Sequence, residues 1–349
     1  MVPVVDLARR GRRLAPQFAT VAAEIASSGQ ILLGRHTAAL EQRLTEWSGG
    51  ENAVTVASGA GAIQLTLAAL GVGPGDEVII PAFTAVPTAS AVSALGATPV
   101  CVDVCQDTAT LDPRLVESAR TDRTKAIVVV HLYGRPAELP VTDLPIVEDA
   151  AQAQGALVDH RRSAATVYSF YPTKNLGGIG DGGAVVTADA DLAAQIRIRR
   201  THGMTDRYVH ELVSQNFRMS EIEAAWLVLA FDDLEADNRR RRDIAARYRS
   251  AAPGLTWQAA HPRHVYHLCV FRSPQRESSR DELHELGVAT AIHYPLAITQ
   301  QPAYHDIVRS ACPQAEAWAS SCISVPCFPE LTDDEVGVVA DALHAIDRR

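Results

Sequence analysis

The stretch Val167-Tyr-Ser-Phe-Tyr-Pro-Thr-Lys-Asn-Leu-Gly-Gly-Ile-Gly-Asp-Gly-Gly183 joins two apolar runs through a loop of turn-forming residues. Lys174 lies in this loop, and a cluster of glycines follows it. A ligand can approach such a lysine from one side, because the small residues leave room around it. The stretch therefore predicts a binding loop between two strands.

Apolar runs alternate with amphipathic segments on both sides of this loop. The runs are apolar on both faces, which is typical of parallel strands that are covered by helices. Between them the pattern predicts helices such as Ala60–Leu70 and Asp189–Arg200. We therefore expect an α/β fold with a mainly parallel sheet. The predicted strands are Val54–Ala57, Val78–Ile80, Thr98–Val102, Ala126–His131, Ile146–Glu148, Val167–Phe170 and Ala184–Thr187.

The pattern changes after Ser220. A single long helix is predicted over Glu221–Ser250, and its four consecutive arginines, Arg239–Arg242, are interpreted as a surface that faces solvent or a partner. From Leu255 onward weaker strands alternate with helices, which favours a smaller α+β domain. The predicted division is a large domain over residues 1–235 and a small one over residues 236–349.

Composition limits the possible partners. Of the 349 residues, 32 are Lys or Arg and 41 are Asp or Glu, so the net charge is 32 − 41 = −9. This sign argues against broad binding to nucleic acid or to an anionic membrane. The six cysteines lack the spacing of a zinc or redox site, and no apolar stretch is long enough to cross a membrane. We expect a cytoplasmic protein with reduced thiols.

A metal site is not expected. His261, His264 and His267 recur at every third position, but Pro262 interrupts them and no carboxylate or thiolate is spaced to complete a ligand set.

The candidate chemistry combines three features. Asp149 ends the apolar run Ile146-Val-Glu-Asp149, so it is expected at the carboxyl edge of the sheet, 25 positions before Lys174. The small residues Ala57-Ser-Gly-Ala-Gly-Ala62 lie between a strand and a helix, where backbone N–H groups can bind phosphate. An amine, a carboxylate in apolar surroundings and a phosphate site are what a pyridoxal phosphate enzyme needs.

Six segments, in this order along the chain, carry a resemblance to a known family. From about Leu32 to the C-terminus the sequence resembles the DegT/DnrJ/EryC1/StrS aminotransferases, pyridoxal phosphate enzymes that aminate nucleotide-linked keto-sugars and related cyclitols. The segments are Val147-Glu-Asp-Ala-Ala-Gln-Ala153, Ser169-Phe-Tyr-Pro-Thr-Lys-Asn-Leu-Gly177, Gly180-Asp-Gly-Gly183, Asn216-Phe-Arg-Met-Ser-Glu-Ile222, His293-Tyr-Pro295 and Pro326-Cys-Phe-Pro-Glu-Leu-Thr332.

The resemblance implies fold type I of the pyridoxal phosphate-dependent aminotransferases, with helices on both faces of a mostly parallel sheet and a smaller C-terminal α+β domain. It also implies a homodimer in which both subunits line each active site. Lys174 would bond covalently to the cofactor and then move a proton between the amino donor and the cofactor. Asp149 would pair with the pyridine nitrogen, and Gln152 would lie near the phenolic oxygen.

The same resemblance assigns the cofactor phosphate and the substrate. Gly59, Ala60 and Ser169 would bind the phosphate, and Asn216 would reach it from the partner subunit. His293 and Tyr294 would contact the substrate. His131 has two open interpretations, which are a contact with ligand and a histidine whose hydrogen bonds are satisfied by loop carbonyls.

The sequence departs from the family at three positions. Ala60 replaces a threonine of the phosphate turn. Ala85 stands where an aromatic ring normally stacks on the pyridine, so that stacking would have to come from Phe83 or His131. Thr299 occupies a position that is commonly histidine in the branch that makes 3-aminosugars, so the aminated carbon stays open.

The resulting hypothesis is a ping-pong transaminase that takes an amino group from an amino acid, with L-glutamate as the expected donor, and gives it to a keto-sugar. Amination of a cyclitol ketone is an alternative that the sequence does not separate from this one. Dehydration is disfavoured, because family members that remove a hydroxyl replace the lysine with histidine. A non-catalytic sensor of the same fold stays open on account of Ala60 and Ala85.

Overall fold

The computed structural model describes residues 1–49, 52–156, 162–307 and 310–348. A seven-stranded sheet forms its centre, with the strand order β1-β7-β6-β5-β4-β2-β3. β7 runs antiparallel to both neighbours, and every other pair is parallel. The predicted, mainly parallel sheet is confirmed. Its strands are β1 Asn52–Val56, β2 Glu77–Pro81, β3 Thr98–Val102, β4 Thr124–Val130, β5 Ile146–Asp149, β6 Ala165–Ser169 and β7 Gly183–Thr187.

Eleven helices are found in the described parts of the chain. Two of the predicted helices begin and end within one residue of their expected bounds, since Ser58 caps α3 and Asp189 caps α6 through side-chain oxygens. The helices are α1 Leu7–Ser28, α2 Arg35–Trp47, α3 Gly59–Ala69, α4 Val86–Ser93, α5 Val116–Ala119, α6 Ala190–Arg200, α7 Glu221–Phe231, α8 Leu234–Ala251, α9 Arg276–Glu285, α10 Pro313–Ser321 and α11 Asp333–Asp347. None of them is both long enough and apolar enough to span a bilayer.

Both faces of the sheet are buried. In β2, Val78 and Ile80 belong to one hydrophobic cluster, whereas Ile79 between them belongs to another. Successive strand residues point to opposite faces, so each face has a core of its own. This explains why the strands read as continuous apolar runs instead of alternating ones.

The C-terminal part has a second, smaller sheet. It contains β10 Thr256–Trp257, β11 Cys269–Arg272 and β12 Cys322–Val325 in antiparallel order, and α8 packs against α11 beside it. Val2 also packs into this cluster, and its backbone bonds to Gly287 and Ala289. The predicted division at residue 235 stays a prediction. A separate hairpin joins β8 Met204–Asp206 to β9 Val209–His210.

The prediction of one helix over Glu221–Ser250 is wrong. The helix is interrupted at Asp232 and Asp233, and the two resulting helices, α7 and α8, pack against different elements. α7 is apolar beyond its first turn and packs against α1 and α2. α8 packs against α11, with Ile244, Ala245 and Tyr248 in the hydrophobic cluster that they share with that helix. Hydrophobic periodicity alone does not reveal such a change of packing partner.

A buried carboxylate ties α7 to the start of α2. Glu221 accepts hydrogen bonds from the backbone N–H groups of Gly34, His36 and Thr37 at 2.8–2.9 Å and from the Thr37 hydroxyl. Burial alone would raise the pKa of Glu221, but these hydrogen bonds outweigh it and lower that pKa. The ionised carboxylate therefore stabilises this junction, and its contribution is lost as the pH falls through the lowered pKa.

Replacing Glu221 by alanine should lower the free energy of unfolding by about 2–4 kcal/mol, because several buried donors lose a charged acceptor. The measurement is urea denaturation at pH 7 beside the exposed control Glu285→Ala, which should stay within about 0.5 kcal/mol of the original protein. Equal stability of the two variants would contradict the role given to Glu221.

Candidate active site

A cavity of about 750 Å³ lies where the parallel strands end. This volume is within the range of about 300–1,000 Å³ that is typical of ligand pockets. Residues at the ends of β5 and β6 form one side, and Leu268, Val325 and Phe328 from the smaller sheet region form the other. Ligands of open α/β sheets bind at this edge.

Lys174 is held at the wall of this cavity by the loop between β6 and β7. The backbone of the loop turns through bonds from Lys174 N to Tyr171 O and from Gly178 N to Phe170 O. The buried Arg10 donates to the carbonyl of Lys174 at 3.1 Å. Burial lowers the pKa of the Lys174 amine to about 8, although the charge of Asp149 opposes the shift. A larger share of Lys174 is therefore uncharged and nucleophilic at neutral pH.

Asp149, the last residue of β5, is 5% exposed and lines the same cavity. Its carboxylate accepts hydrogen bonds from the Thr88 hydroxyl at 3.0 Å and from the backbone N–H of Ala151 at 3.1 Å. Burial raises the pKa of Asp149, and these bonds and the charge of Lys174 limit the rise. Among the described residues, no cationic nitrogen lies within 4.0 Å of this carboxylate.

The turn between β1 and α3 forms a second polar corner of the cavity. Ser58 caps α3 by accepting from Gly61 N at 3.0 Å, and Gly59, Ala60 and Ser169 line the cavity beside it. The first N–H groups of a helix have no partner within the helix, so they are available to an anion. A Cβ on residue 59 would lie 2.6 Å from the Cβ of Ser169, which requires glycine there.

Gln152, His293 and Tyr294 meet at the opposite wall. Gln152 donates to the Tyr294 hydroxyl at 2.9 Å and accepts from Tyr133 N at 2.7 Å. His293 bonds to the Ser324 hydroxyl at 2.9 Å, and burial together with the charge of Lys174 lowers its pKa to about 4. The structure thus brings these three predicted residues to one cavity.

His131 does not line the cavity among the described residues. Its Nε2 bonds to the carboxylate of Glu148 at 2.9 Å, and its Nδ1 accepts from Ala137 N at 2.9 Å. Both ring nitrogens are therefore occupied, and the side chain is 1% exposed. This environment agrees with the interpretation of a satisfied histidine, with a carboxylate and an amide in place of loop carbonyls, and a contact with substrate stays a prediction.

Neither residue considered as a substitute for the missing ring reaches the cavity. Phe83 is fully buried and packs against Tyr133, Tyr294 and Trp318, so its ring is not available to a ligand. Ala85 itself lines the cavity. The cavity wall therefore has a methyl group, and no aromatic ring, at residue 85.

Asn216 lies away from the cavity of its own chain. Its side chain accepts hydrogen bonds from the backbone N and the Nε of Arg218. The predicted role in the active site of a partner subunit stays a prediction.

Thr88, Arg241 and His267 are among the cavity residues that sequence reasoning missed. Thr88, which supports Asp149, lies three positions after Ala85, which was considered only for its missing ring. Arg241 belongs to the run that was interpreted as surface, yet it is 2% exposed and lines the cavity. His267 was considered only for metal binding. His264 instead bonds to Gln258 at 3.0 Å and stacks on Tyr266, whereas His267 reaches the cavity.

Comparison with known proteins identifies the family of this chain. The sequence profile described as the DegT/DnrJ/EryC1/StrS aminotransferase family matches residues 13–344. The chain belongs to this family. The predicted family, the α/β fold of type I and the transaminase class are confirmed.

Three relatives illustrate the likeness. The dTDP-3-amino-3,4,6-trideoxy-alpha-D-glucose transaminase of Streptomyces venezuelae is 40% identical over 98% of this chain and 95% of that protein. The crystal structure of S. venezuelae DesV matches with a TM-score of 0.94 and 38% identity, over 100% of this chain and 99% of that one. NtdA of Bacillus subtilis, solved with bound pyridoxamine phosphate, matches with a TM-score of 0.93 and 27% identity, over 100% of this chain and 85% of that one.

The residues of this family member fit the cofactor that its relatives bind. A buried carboxylate without a cation within 4.0 Å, found at Asp149 within the described ranges, suits a protonated pyridine nitrogen. The α3 N-terminus and Ser169 suit a phosphate, and Lys174 offers an amine of lowered pKa. All three lie on one cavity.

The Gly59→Ala variant should weaken pyridoxal phosphate binding about tenfold or more, because the new Cβ must push the α3 N-terminus away from Ser169. The measurement is the Kd of pyridoxal phosphate by fluorescence titration. Gly73→Ala is the matched control, since a Cβ there meets no atom within 4 Å and the backbone φ is ordinary. Unchanged affinity in Gly59→Ala would remove the phosphate from this corner.

Proposed function

We propose that this protein is a pyridoxal phosphate-dependent aminotransferase that moves the amino group of L-glutamate to a nucleotide-linked keto-sugar in amino-sugar biosynthesis. The observation that carries the proposal is that the buried Asp149 carboxylate and the Lys174 amine of lowered pKa line the same cavity. When bound, the cofactor supplies an electron sink for the carbon that bears the amino group.

Lys174 is the proton carrier of the reaction. With the cofactor bound, Lys174 would hold it until the donor arrives. The released amine would then take the proton from Cα of the donor and give it to C4′ of the cofactor. A pKa near 8 suits this task, since a catalytic base works best when its pKa is close to the working pH.

Asp149 orients the ring and keeps its nitrogen protonated, and Thr88 fixes the rotamer of that carboxylate. Gly59 and Ala60 bind the phosphate through backbone N–H groups, and Ser169 binds it through its hydroxyl. Gln152 would lie near the phenolic oxygen of the bound cofactor, and Ala85 would face the ring with a methyl group in place of an aromatic side chain. His293 and Tyr294 contact the substrate.

The substrate class rests on the relatives. The named sugar transaminase that is 40% identical over nearly the whole chain acts on a dTDP-linked sugar, which favours a nucleotide-linked acceptor over a free cyclitol.

The working unit is a homodimer with shared active sites. Two large apolar side chains of the cavity wall, Val86 and Tyr171, are exposed and suit coverage by a second subunit. Asn216 of the partner would then reach the cofactor phosphate.

We place the enzyme in the cytoplasm. All six cysteines are free thiols in the structure, which suits a reducing compartment. Residues 1–235 form the cofactor-binding domain and residues 236–349 the small domain.

Lys174 can be tested with a matched control, because Lys125 is the only other lysine in the sequence and it is exposed on β4. The holoenzyme without acceptor should convert one equivalent of L-glutamate per site to 2-oxoglutarate. Lys174→Ala should reduce this rate by at least about 1,000-fold, since general acid–base and covalent catalysis are both lost. Lys125→Ala should react as the original protein does.

The readouts are 2-oxoglutarate release and peptide mapping after borohydride reduction, which should mark Lys174 and leave Lys125 unmarked. Normal turnover in Lys174→Ala, or cofactor bound at Lys125, would refute the assignment.

A further inference from the structure

Arg241 is a buried cation without an ion pair. Its Nη1 donates to the backbone carbonyls of Tyr266, His267 and Cys327. Its Nε has no hydrogen-bond partner, and in the described part of the chain no carboxylate oxygen lies within 4.0 Å of the guanidinium. Burial lowers its pKa to about 10, so the group stays charged at neutral pH. A buried charge without a counterion is costly, so an anion is expected beside it.

The acidic residues nearest to Arg241 are engaged elsewhere. Glu330 and Asp237 both act on Arg241 electrostatically. However, Glu330 lies 3.6 Å from Arg10, and Asp237 lies 3.1 Å from Arg13. Their charges are therefore balanced by other arginines. The Cys327 thiol also acts on Arg241 electrostatically, but its S–H donates to the backbone carbonyl of Arg241 at 3.6 Å. Among the described residues, no carboxylate is left to neutralise the Arg241 guanidinium.

His267 lines the same cavity as Arg241 and Lys174. The ring is 7% exposed, it lines the cavity, and its Nδ1 has no hydrogen-bond partner in the described chain. Burial lowers its pKa, and the charges of Lys174 and Arg241 both add to that shift, so both cations are near it. The wall thus has two buried, unpartnered polar groups next to the reactive amine.

The three arginines near the end of α6 do not line the cavity. Arg200 pairs with Glu41 at 2.6 Å, Arg197 donates to the carbonyl of Ala53, and Arg199 bonds to Gln195. Among the described residues, the only lysine or arginine side chains that line the cavity are Lys174 and Arg241.

The geometry points to Arg241 and His267 as the binding site for the α-carboxylate of the amino donor, an inference that rests on the proposed transaminase function. The α-carboxylate is attached to the carbon from which Lys174 must take a proton, so it has to bind close to that amine. The three backbone carbonyls hold Nη1 and so fix the guanidinium before the ligand arrives, which reduces the entropic cost of binding. His267 supplies a second hydrogen bond on the side of Lys174.

The test compares L-glutamate with its α-amide, L-isoglutamine, as donors for the holoenzyme. The original protein should prefer L-glutamate, because only that donor carries the α-carboxylate. Arg241→Gln should lower the kcat/KM for L-glutamate about 10- to 100-fold, as expected when a hydrogen bond to a charged group is lost. It should change the value for L-isoglutamine much less, so the preference should nearly disappear.

The arginine run supplies a matched control. Arg242 pairs with Glu235 on the surface, so Arg242→Gln should keep the preference for L-glutamate. His267→Gln should also reduce the preference for L-glutamate over L-isoglutamine. This variant tests the donor site even if Arg241→Gln fails to fold. The Kd of pyridoxal phosphate should stay the same in all three variants, which separates a donor site from general damage.

Three results would overturn the inference. An unchanged preference for L-glutamate in folded Arg241→Gln or His267→Gln would show that the pair is structural. A rise only in the KM of the nucleotide-sugar acceptor would assign Arg241 to its phosphates. Equal losses with both donors would show damage to the whole site. By contrast, failure of the original protein to react with any amino donor would refute the proposed function itself.

Discussion

A buried carboxylate without a cationic partner is the feature on which the rest of the site depends. Asp149 lies at the end of β5, where Thr88 and the backbone of Ala151 hold its oxygens but leave its charge unbalanced in the described structure. An aspartate so buried is costly unless a cation joins it. The parallel sheet places this carboxylate next to the Lys174 loop, because β5 and β6 are neighbours and end at the same edge. The parallel sheet thus determines where Asp149 can act on a bound cofactor.

The region around the smaller sheet contributes the second half of the site. In a chain of net charge −9, positive charge for an anionic substrate has to be local. Arg241 provides it from α8, held by carbonyls of the segments that lead into β11 and out of β12. The cofactor side and the donor side of the cavity therefore come from different parts of the chain, and the cavity exists only when the two are packed together.

The sequence predicted those features that depend on neighbours along the chain. Two of the predicted residues, Asp149 and Ser169, end strands, and Gly59 begins the helix after a strand-to-helix turn. Their positions at the edge of the sheet could therefore be predicted from the sequence. Arg241 and His267 could not, because burial of a residue in an arginine run depends on what packs against it. The two interpretations of His131 stayed open for a related reason, since its partner Glu148 lies on the adjacent strand. The break between α7 and α8 likewise reflects packing partners that no periodicity reveals.

The central claim is that Asp149 keeps the cofactor ring protonated. It is tested most directly by nitrogen-15 NMR of the holoenzyme with pyridoxal phosphate that is labelled at the ring nitrogen. The carboxylate should stabilise the charged form, so the ring nitrogen should stay protonated from about pH 6 to about pH 9. An unprotonated ring nitrogen at neutral pH would contradict the account, because the buried charge of Asp149 would then have no cation to balance it.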